Sequence, residues 1–125
     1  MTVEREEFER TAQLVFDALP EPFRDAVDNV RIVIEEIPDD RLERRKGYRP
    51  GTILLGLYEG IPLTKRGTNY GMYPVVPDTI TLFRGNILSI SRSPHEVSEI
   101  IRDTLIHELG HYFGMSEREI RAAGY

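Results

Sequence analysis

The stretch that decides how this chain folds and what it can bind is IHELGHYFGMSE, residues Ile106 to Glu117. It places two of the chain's three histidines and two carboxylates within twelve positions. His107 and His111 are four residues apart, so on a helix they project from one face, about one turn apart. Two imidazoles in that arrangement can bind one zinc ion, each with its nitrogen ~2.0–2.1 Å from the metal. The spacing therefore predicts a zinc site on a helix.

Glu108 directly follows the first histidine and points about 100° away from it around the helix axis. A carboxylate beside the metal, and not on it, can take a proton from a water molecule that the metal activates. Glu108 is therefore the predicted general base. The alternative is that both histidines are partly buried helix residues that bind neighbouring carboxylates, but the concentration of histidines and acids favours the metal site.

A third protein ligand is expected, because a catalytic zinc site uses three and keeps one position open. After the second histidine, the only carboxylate side chains are Glu117 and Glu119. Gly114 is typical of a left-handed helix end, which would turn the following segment back towards the histidines. Glu119 suits a capping box with Ser116, so Glu117 is the predicted third ligand. The C-terminal carboxylate of Tyr125 is an outside alternative.

Two longer helices and a short one are expected around this motif. Ser93, Pro94 and Glu96 suit the N-cap, the first and the third position of the helix that carries the histidines. Apolar residues spaced for one helix face predict an N-terminal helix over residues 2–19. A final short helix is expected over residues 117–123.

Three segments have the composition of strands: VRIVIEEI (Val30 to Ile37), TILLGLYEG (Thr52 to Gly60) and TITLFRG (Thr79 to Gly85). Within the second, LLGLYEG could be an edge strand that lines a cleft and binds an extended peptide, or a core strand with a glycine bulge at Gly56. Helices and strands in this order predict an α+β fold, in one domain of residues 1–125.

The composition narrows the class of protein. Apolar residues make up 40% of the chain and charged residues 30%, as in ordinary globular proteins. The net charge of -5 argues against a nucleic-acid partner, and the absence of cysteine leaves only nitrogen and oxygen as metal ligands. Without an apolar leader or a run of ~20 apolar residues, we expect a cytoplasmic monomer with no membrane partner.

Other conspicuous residues have a structural explanation. The basic segment 41–49 is typical of a solvated loop, although it could contact an acidic substrate or nucleic acid. Tyr70 or Tyr73 could donate to an oxyanion, but a surface connection is the simpler explanation. Tyr112 is expected to pack in the core, and His95 is too far along the helix to be a ligand.

The motif HELGHYFGMSE resembles the H-E-x-x-H-x-x-G-x-x-(H/D) signature of metzincin zinc peptidases, with Glu117 where His or Asp usually stands. Three further segments, TVEREEFERTAQLVFDALPEPFRDAVDNVRIVIEE, LLGLYEGIPLTKRG and PDTITLFRG, resemble the minimal metzincin-like, or zincin-like, metallopeptidase family of small bacterial proteins. The likeness runs from about Glu4 to Glu119 in the same order.

This resemblance implies a small mixed β-sheet packed against an N-terminal helix and a long active-site helix. It implies Zn²⁺ held by His107, His111 and Glu117, with Glu108 as base, and a peptide or protein as substrate. A glutamate ligand is one methylene longer than the usual aspartate, so its backbone must lie farther from the metal or its carboxylate must coordinate differently. The alternative function is a zinc-binding or catalytically silent module of the same fold, without peptidase turnover.

Overall fold

A computed structural model of the chain describes residues 3–21, 23–26, 28–39, 53–60 and 78–124. The elements in chain order are helix α1 (Arg5–Asp17), a 3-10 turn (Phe23–Ala26), strands β1 (Val30–Glu35), β2 (Gly56–Glu59) and β3 (Asp78–Phe83), and helices α2 (Arg84–Ile90), α3 (Pro94–Tyr112) and α4 (Glu117–Ala122). Helices combined with a small sheet confirm the predicted α+β fold, although each strand is shorter than predicted.

The described strands form a sheet in the order β1-β3-β2. The central strand β3 pairs in parallel with β1, with Ile80 opposite Ile32, and antiparallel with β2, with Leu82 opposite Gly56. Ile80 and Leu82, two residues apart on one face of β3, are fully buried in the core that the sheet shares with the helices. The sheet is therefore mixed, as predicted, and β2 is an edge strand among the described strands.

Helices α1 and α3 pack against each other and share the core with the sheet. The side chains that α1 buries are Phe8, Ala12 and Phe16, which recur every four residues as an amphipathic helix requires. Burying one large apolar side chain contributes about 1.5–3 kcal/mol, so this stripe anchors the helix. Among the residues that the structure describes, no helix is long and apolar enough to cross a membrane.

An arginine network ties the N-terminal segment to the sheet. Arg84, at the start of α2, donates to Glu36 Oε2 at 2.8 Å and to the Val3 carbonyl. Arg5 donates to the Ile34 carbonyl at 2.7 Å. These contacts hold α1 beside the end of β1, and they give Arg84 a structural role.

Helix α3 begins and ends where the sequence predicts. Ser93 Oγ accepts the Glu96 N–H at 3.1 Å, and Pro94 occupies the first helical position. At the other end Gly114 has φ +84°, and its N–H donates to the His111 carbonyl at 2.9 Å. The C-cap residue is Phe113. The Met115 N–H donates to the carbonyl of Gly110, three residues before it, also at 2.9 Å, which completes the left-handed cap. The chain reverses here, and α4 starts three residues later.

Replacing Gly114 with alanine should lower the free energy of unfolding by about 1–2 kcal/mol, because an L side chain is strained at this positive φ. Urea denaturation measures the effect. Gly124 is a matched control: it also has positive φ, at +92°, but a Cβ there would meet nothing within 4 Å. Since Gly124 is exposed and follows the short helix α4, outside the packed core, its replacement should change stability much less. Equal losses in the two variants would contradict the prediction.

Candidate metal centre

The histidine pair and Glu117 meet at one point of the structure. Glu117 Oε1 lies 2.8 Å from His107 Nε2 and 2.9 Å from His111 Nε2. The two rings stand edge to face, with centroids 5.5 Å apart. The histidine side chains are 30% and 29% exposed and that of Glu117 is 53% exposed, so one side of the cluster is open to solvent. The three residues that the sequence predicts as ligands are therefore brought together.

Glu117 reaches this point because of how α4 begins. Ser116 is the N-cap: its Oγ accepts the Glu119 N–H at 3.2 Å, and its own N–H donates to Glu119 Oε1 at 3.1 Å. This is the predicted capping box. It engages the Glu119 carboxylate and leaves Glu117, in the first turn of α4, to face α3.

The backbone after α3 orients one of the rings. The Met115 carbonyl lies 3.1 Å from His111 Nδ1. A carbonyl oxygen can only accept, so Nδ1 carries the proton in this contact. With Nδ1 engaged in this way, Nε2 is the ring nitrogen that remains for a metal ion, which is the arrangement that metal-binding histidines use.

The donor set fits a zinc ion. Two imidazole nitrogens and one carboxylate oxygen are typical ligands of catalytic zinc. Tetrahedral ligands ~2.0–2.1 Å from a metal stand roughly 3.3 Å apart. The separations of 2.8 and 2.9 Å between Glu117 Oε1 and the two Nε2 atoms are a few tenths of an ångström shorter, because these atoms are in direct hydrogen bonds in this structure. A small outward movement of Glu117 would accommodate the ion.

The electrostatics at Glu117 favour its charged form. Partial burial alone would raise the pKa of Glu117, but the hydrogen bonds from His107 and His111 outweigh it and lower the pKa below the ordinary value. An ionised carboxylate is the form that binds a metal.

Glu108 lies beside this cluster on the side facing the sheet. One potential ligand atom of Glu108 and one of each histidine lie within 4.8 Å of one another, so this group could also hold a metal ion. However, Glu108 Oε1 accepts the Tyr58 N–H at 2.9 Å. Burial raises the pKa of the Glu108 carboxyl above its ordinary value, and the hydrogen bond from Tyr58 opposes that shift.

The edge strand β2 runs past the site with alternate backbone groups turned towards α3. The Phe83 N–H donates to the Leu55 carbonyl at 2.9 Å, so every second residue from Leu55 pairs with β3. Gly56 and Tyr58 therefore present their N–H and C=O groups to the other side. Among the strands that the structure describes, this geometry supports the edge-strand alternative for LLGLYEG over a core strand with a bulge.

Between β2 and α3 lies a cavity of about 520 Å³. The strand side is largely apolar, whereas the helix side carries both histidines and the acids. The lining residues are Leu54, Leu55, Gly56, Leu57, Tyr58, Asp103, Thr104, His107, Glu108, His111 and Glu117. The candidate centre thus opens into a groove of which β2, an edge strand among the described strands, forms one wall.

Three features of this groove are absent from the sequence-based prediction: the Tyr58 amide, Thr104 and Asp103. The Tyr58 contact joins residues 50 positions apart and has no local signature. Asp103 and Thr104 could have been predicted from the sequence as groove residues, because they precede His107 and Glu108 by one helical turn and so share their helix face.

The remaining candidates lie away from the site or outside the described residues. His95 is exposed and pairs with Glu99 at 2.6 Å, and Tyr112 is buried against the Tyr58 ring, so both match their structural explanations. Tyr70, Tyr73, the Tyr125 carboxylate and the basic segment 41–49 lie outside the described residues.

Comparison with known proteins points to one family. A family model described as zincin-like metallopeptidase matches residues 27–125. The fold is similar to that of a conserved hypothetical protein from Thermus thermophilus, with a TM-score of 0.57 and 21% identity over 97% of this chain and 98% of that chain. No curated protein matches the sequence.

Replacing Gly56 with alanine should lower the free energy of unfolding by about 1–3 kcal/mol, as over-packing does. A Cβ at Gly56 would lie 2.6 Å from Thr104 Cγ2 and 3.6 Å from Glu108 Cγ, so β2 would have to move away from α3. Removing the Thr104 methyl by Thr104→Ser in the same chain should restore part of the loss. Urea denaturation of the single and double variants measures both effects, and a fully stable Gly56→Ala protein would refute the close contact.

Proposed function

The chain belongs to the zincin-like metallopeptidase family, and from that premise we propose that it is a zinc-dependent peptidase. In this proposal His107, His111 and Glu117 hold the metal, and Glu108 is the general base. The observation that carries the proposal is the convergence of the two Nε2 atoms and Glu117 Oε1 at 2.8 and 2.9 Å. Three donors that meet at one solvent-accessible point leave room for a fourth position.

Zinc in such a donor set supplies a Lewis acid that acts on water and on a substrate carbonyl. The protein's own part begins with orientation. The Met115 carbonyl holds the His111 ring by its Nδ1–H, and the capping box of α4 holds the backbone of Glu117. Groups that orient ligands in this way commonly contribute 10–100-fold to metal affinity or activity.

Glu108 accepts the proton of the attacking water and later returns it. The Tyr58 N–H occupies Oε1 at 2.9 Å, which fixes the carboxylate plane and leaves Oε2 to accept a proton from the attacking water. The same oxygen can return that proton to the leaving amine of a cleaved peptide bond.

The groove supports an extended peptide as substrate. Gly56 turns its backbone N–H and C=O towards the groove, and an extended chain can pair with such an edge by strand addition. The apolar side chains of Leu54 and Leu57 line the same wall and offer contact to substrate side chains. We therefore propose that the partner is a peptide or an unfolded protein segment.

Replacing His107 or Glu117 with alanine should weaken zinc affinity by more than about 100-fold, because loss of a ligand exceeds the loss of an orienting group. Metal content by mass spectrometry and competition with a chromophoric chelator measure the effect. His95→Ala is the matched control, since this exposed histidine lies outside the groove and its loss should leave affinity unchanged. Unchanged affinity in Glu117→Ala would remove Glu117 from the ligand set.

The variant Glu108→Gln should retain zinc and lose peptide cleavage by about 10²–10⁴-fold, because glutamine cannot accept the proton. Zinc-dependent cleavage of a broad peptide library is the assay, with metal content measured on the same preparation. Undiminished hydrolysis by zinc-loaded Glu108→Gln would refute the base. A zinc-saturated wild-type protein that cleaves no library peptide would favour the alternative, a zinc-binding module without turnover.

A further inference from the structure

Gly110 lies inside α3 between the two histidines, in a position where glycine is unfavourable. Among residues other than proline, glycine is the least favourable in a helix interior because it leaves the backbone most free when unfolded. This glycine is buried, and a Cβ built on it would lie 2.7 Å from both Cδ1 and Cγ1 of Ile120. The space that a side chain would fill is therefore used by Ile120.

Ile120 anchors α4 to α3. It is 1% exposed and is the one buried residue of the six-residue helix. A helix this short does not hold its place by itself, so tertiary contacts set its position. Glu117 precedes Ile120 by three residues and shares its helix face. The depth at which Ile120 sits on Gly110 therefore sets how closely Glu117 approaches the histidines.

We propose that Gly110 and Ile120 are positioning residues for the metal site, and that their contact sets the distance from the Glu117 carboxylate to His107 and His111. The inference rests on the proposed role of Glu117 as a ligand of a divalent cation. The Gly114 turn and the Ser116 capping box direct the chain and start α4. The contact with Gly110 determines how far α4 stands from α3.

The distances indicate how sensitive this arrangement is. Ordinary van der Waals contact begins near 3.4 Å, so a methyl group at position 110 forces a separation of about 0.7 Å or a rearrangement of Ile120. Metal–ligand distances tolerate only about ±0.2 Å. The displacement exceeds the few tenths of an ångström by which Glu117 must move outward to admit an ion, so it is enough to withdraw the carboxylate from the metal.

The test is a double-mutant cycle of Gly110→Ala and Ile120→Ala, with zinc affinity measured by chelator competition. Gly110→Ala should weaken affinity by about tenfold or more, as loss of a ligand-orienting group does. Ile120→Ala should also weaken it, because α4 loses its anchor. The double variant should bind more tightly than Gly110→Ala alone, since the small residue at 120 makes room for the methyl group. Purely additive losses would overturn the proposal.

Two control variants distinguish a positioning role of Gly110 and Ile120 from a general loss of stability and from an error in the proposed ligand set. Ile87→Ala removes a fully buried isoleucine of α2 outside the groove, so it should reduce stability and leave zinc affinity unchanged. Glu117→Ala tests the ligand itself: if it binds zinc like the wild type, the proposed ligand set fails. If Glu117→Ala weakens binding while both single variants of the cycle keep wild-type affinity, the positioning role alone is refuted.

A spectroscopic readout distinguishes positioning from loss of stability. The visible absorption of the Co²⁺-loaded protein depends on the coordination of the metal, and that of Gly110→Ala should shift towards the spectrum of Glu117→Ala. Ile120→Val, which lacks only Cδ1, is the milder variant to use if Gly110→Ala or Ile120→Ala prevents folding. It should weaken zinc affinity by less than Ile120→Ala, and a wild-type spectrum and affinity in this folded variant would then count against the proposal.

Discussion

One oxygen of Glu117 lies within hydrogen-bonding distance of His107 Nε2 and His111 Nε2, and much of the surrounding structure holds it there. The histidines need only the period of a helix to face the same way. The carboxylate comes from a different element, so the chain must leave α3, reverse and return. The left-handed turn at Gly114 makes this reversal possible, and the same turn places the Met115 carbonyl on the His111 ring.

Helix α3 is shared between the core and the candidate site. One side contributes Val97, Ile101 and Leu105 to the core, and the other carries the histidines and Glu108. Two glycines permit the close approaches that complete the site. Gly56 lets β2 approach Thr104 and Glu108, and Gly110 lets Ile120 approach from α4. The site is therefore assembled by close packing against one helix.

The groove links this geometry to the proposed chemistry. A fold shared at 21% identity indicates architecture, whereas function depends on the particular groups in the site. Here those groups are a histidine pair with a converging carboxylate, a second carboxylate held by the Tyr58 amide, and a strand edge facing them. This combination supports the hydrolysis of an extended chain that we propose, because Glu108 and the β2 edge lie on the same side of the point where the histidines and Glu117 converge.

Much of the fold and most of the site could be predicted from the sequence because the signals are local. The helical spacing of His107 and His111, the cap at Ser93 and the left-handed end at Gly114 depend on neighbours within a few residues. The Ser116 capping box likewise singled out Glu117 over Glu119. The predicted ends of the strands were less accurate, because a strand ends where its pairing partner ends, and composition does not show this.

Only the tertiary structure shows that the Tyr58 amide holds Glu108, that β2 is the strand facing the site, and that Ile120 rests on Gly110. Tyr58 and Glu108 are 50 residues apart, and no periodic pattern connects them. Gly110 in the middle of α3 is an unfavourable helix residue that can be recognised in the sequence. Its contact with Ile120 depends on how α4 packs against α3. Which side chains could bind a metal is readable from the order of residues alone, because helix geometry is local. Packing between distant elements decided their distances and surroundings, because it depends on the whole fold.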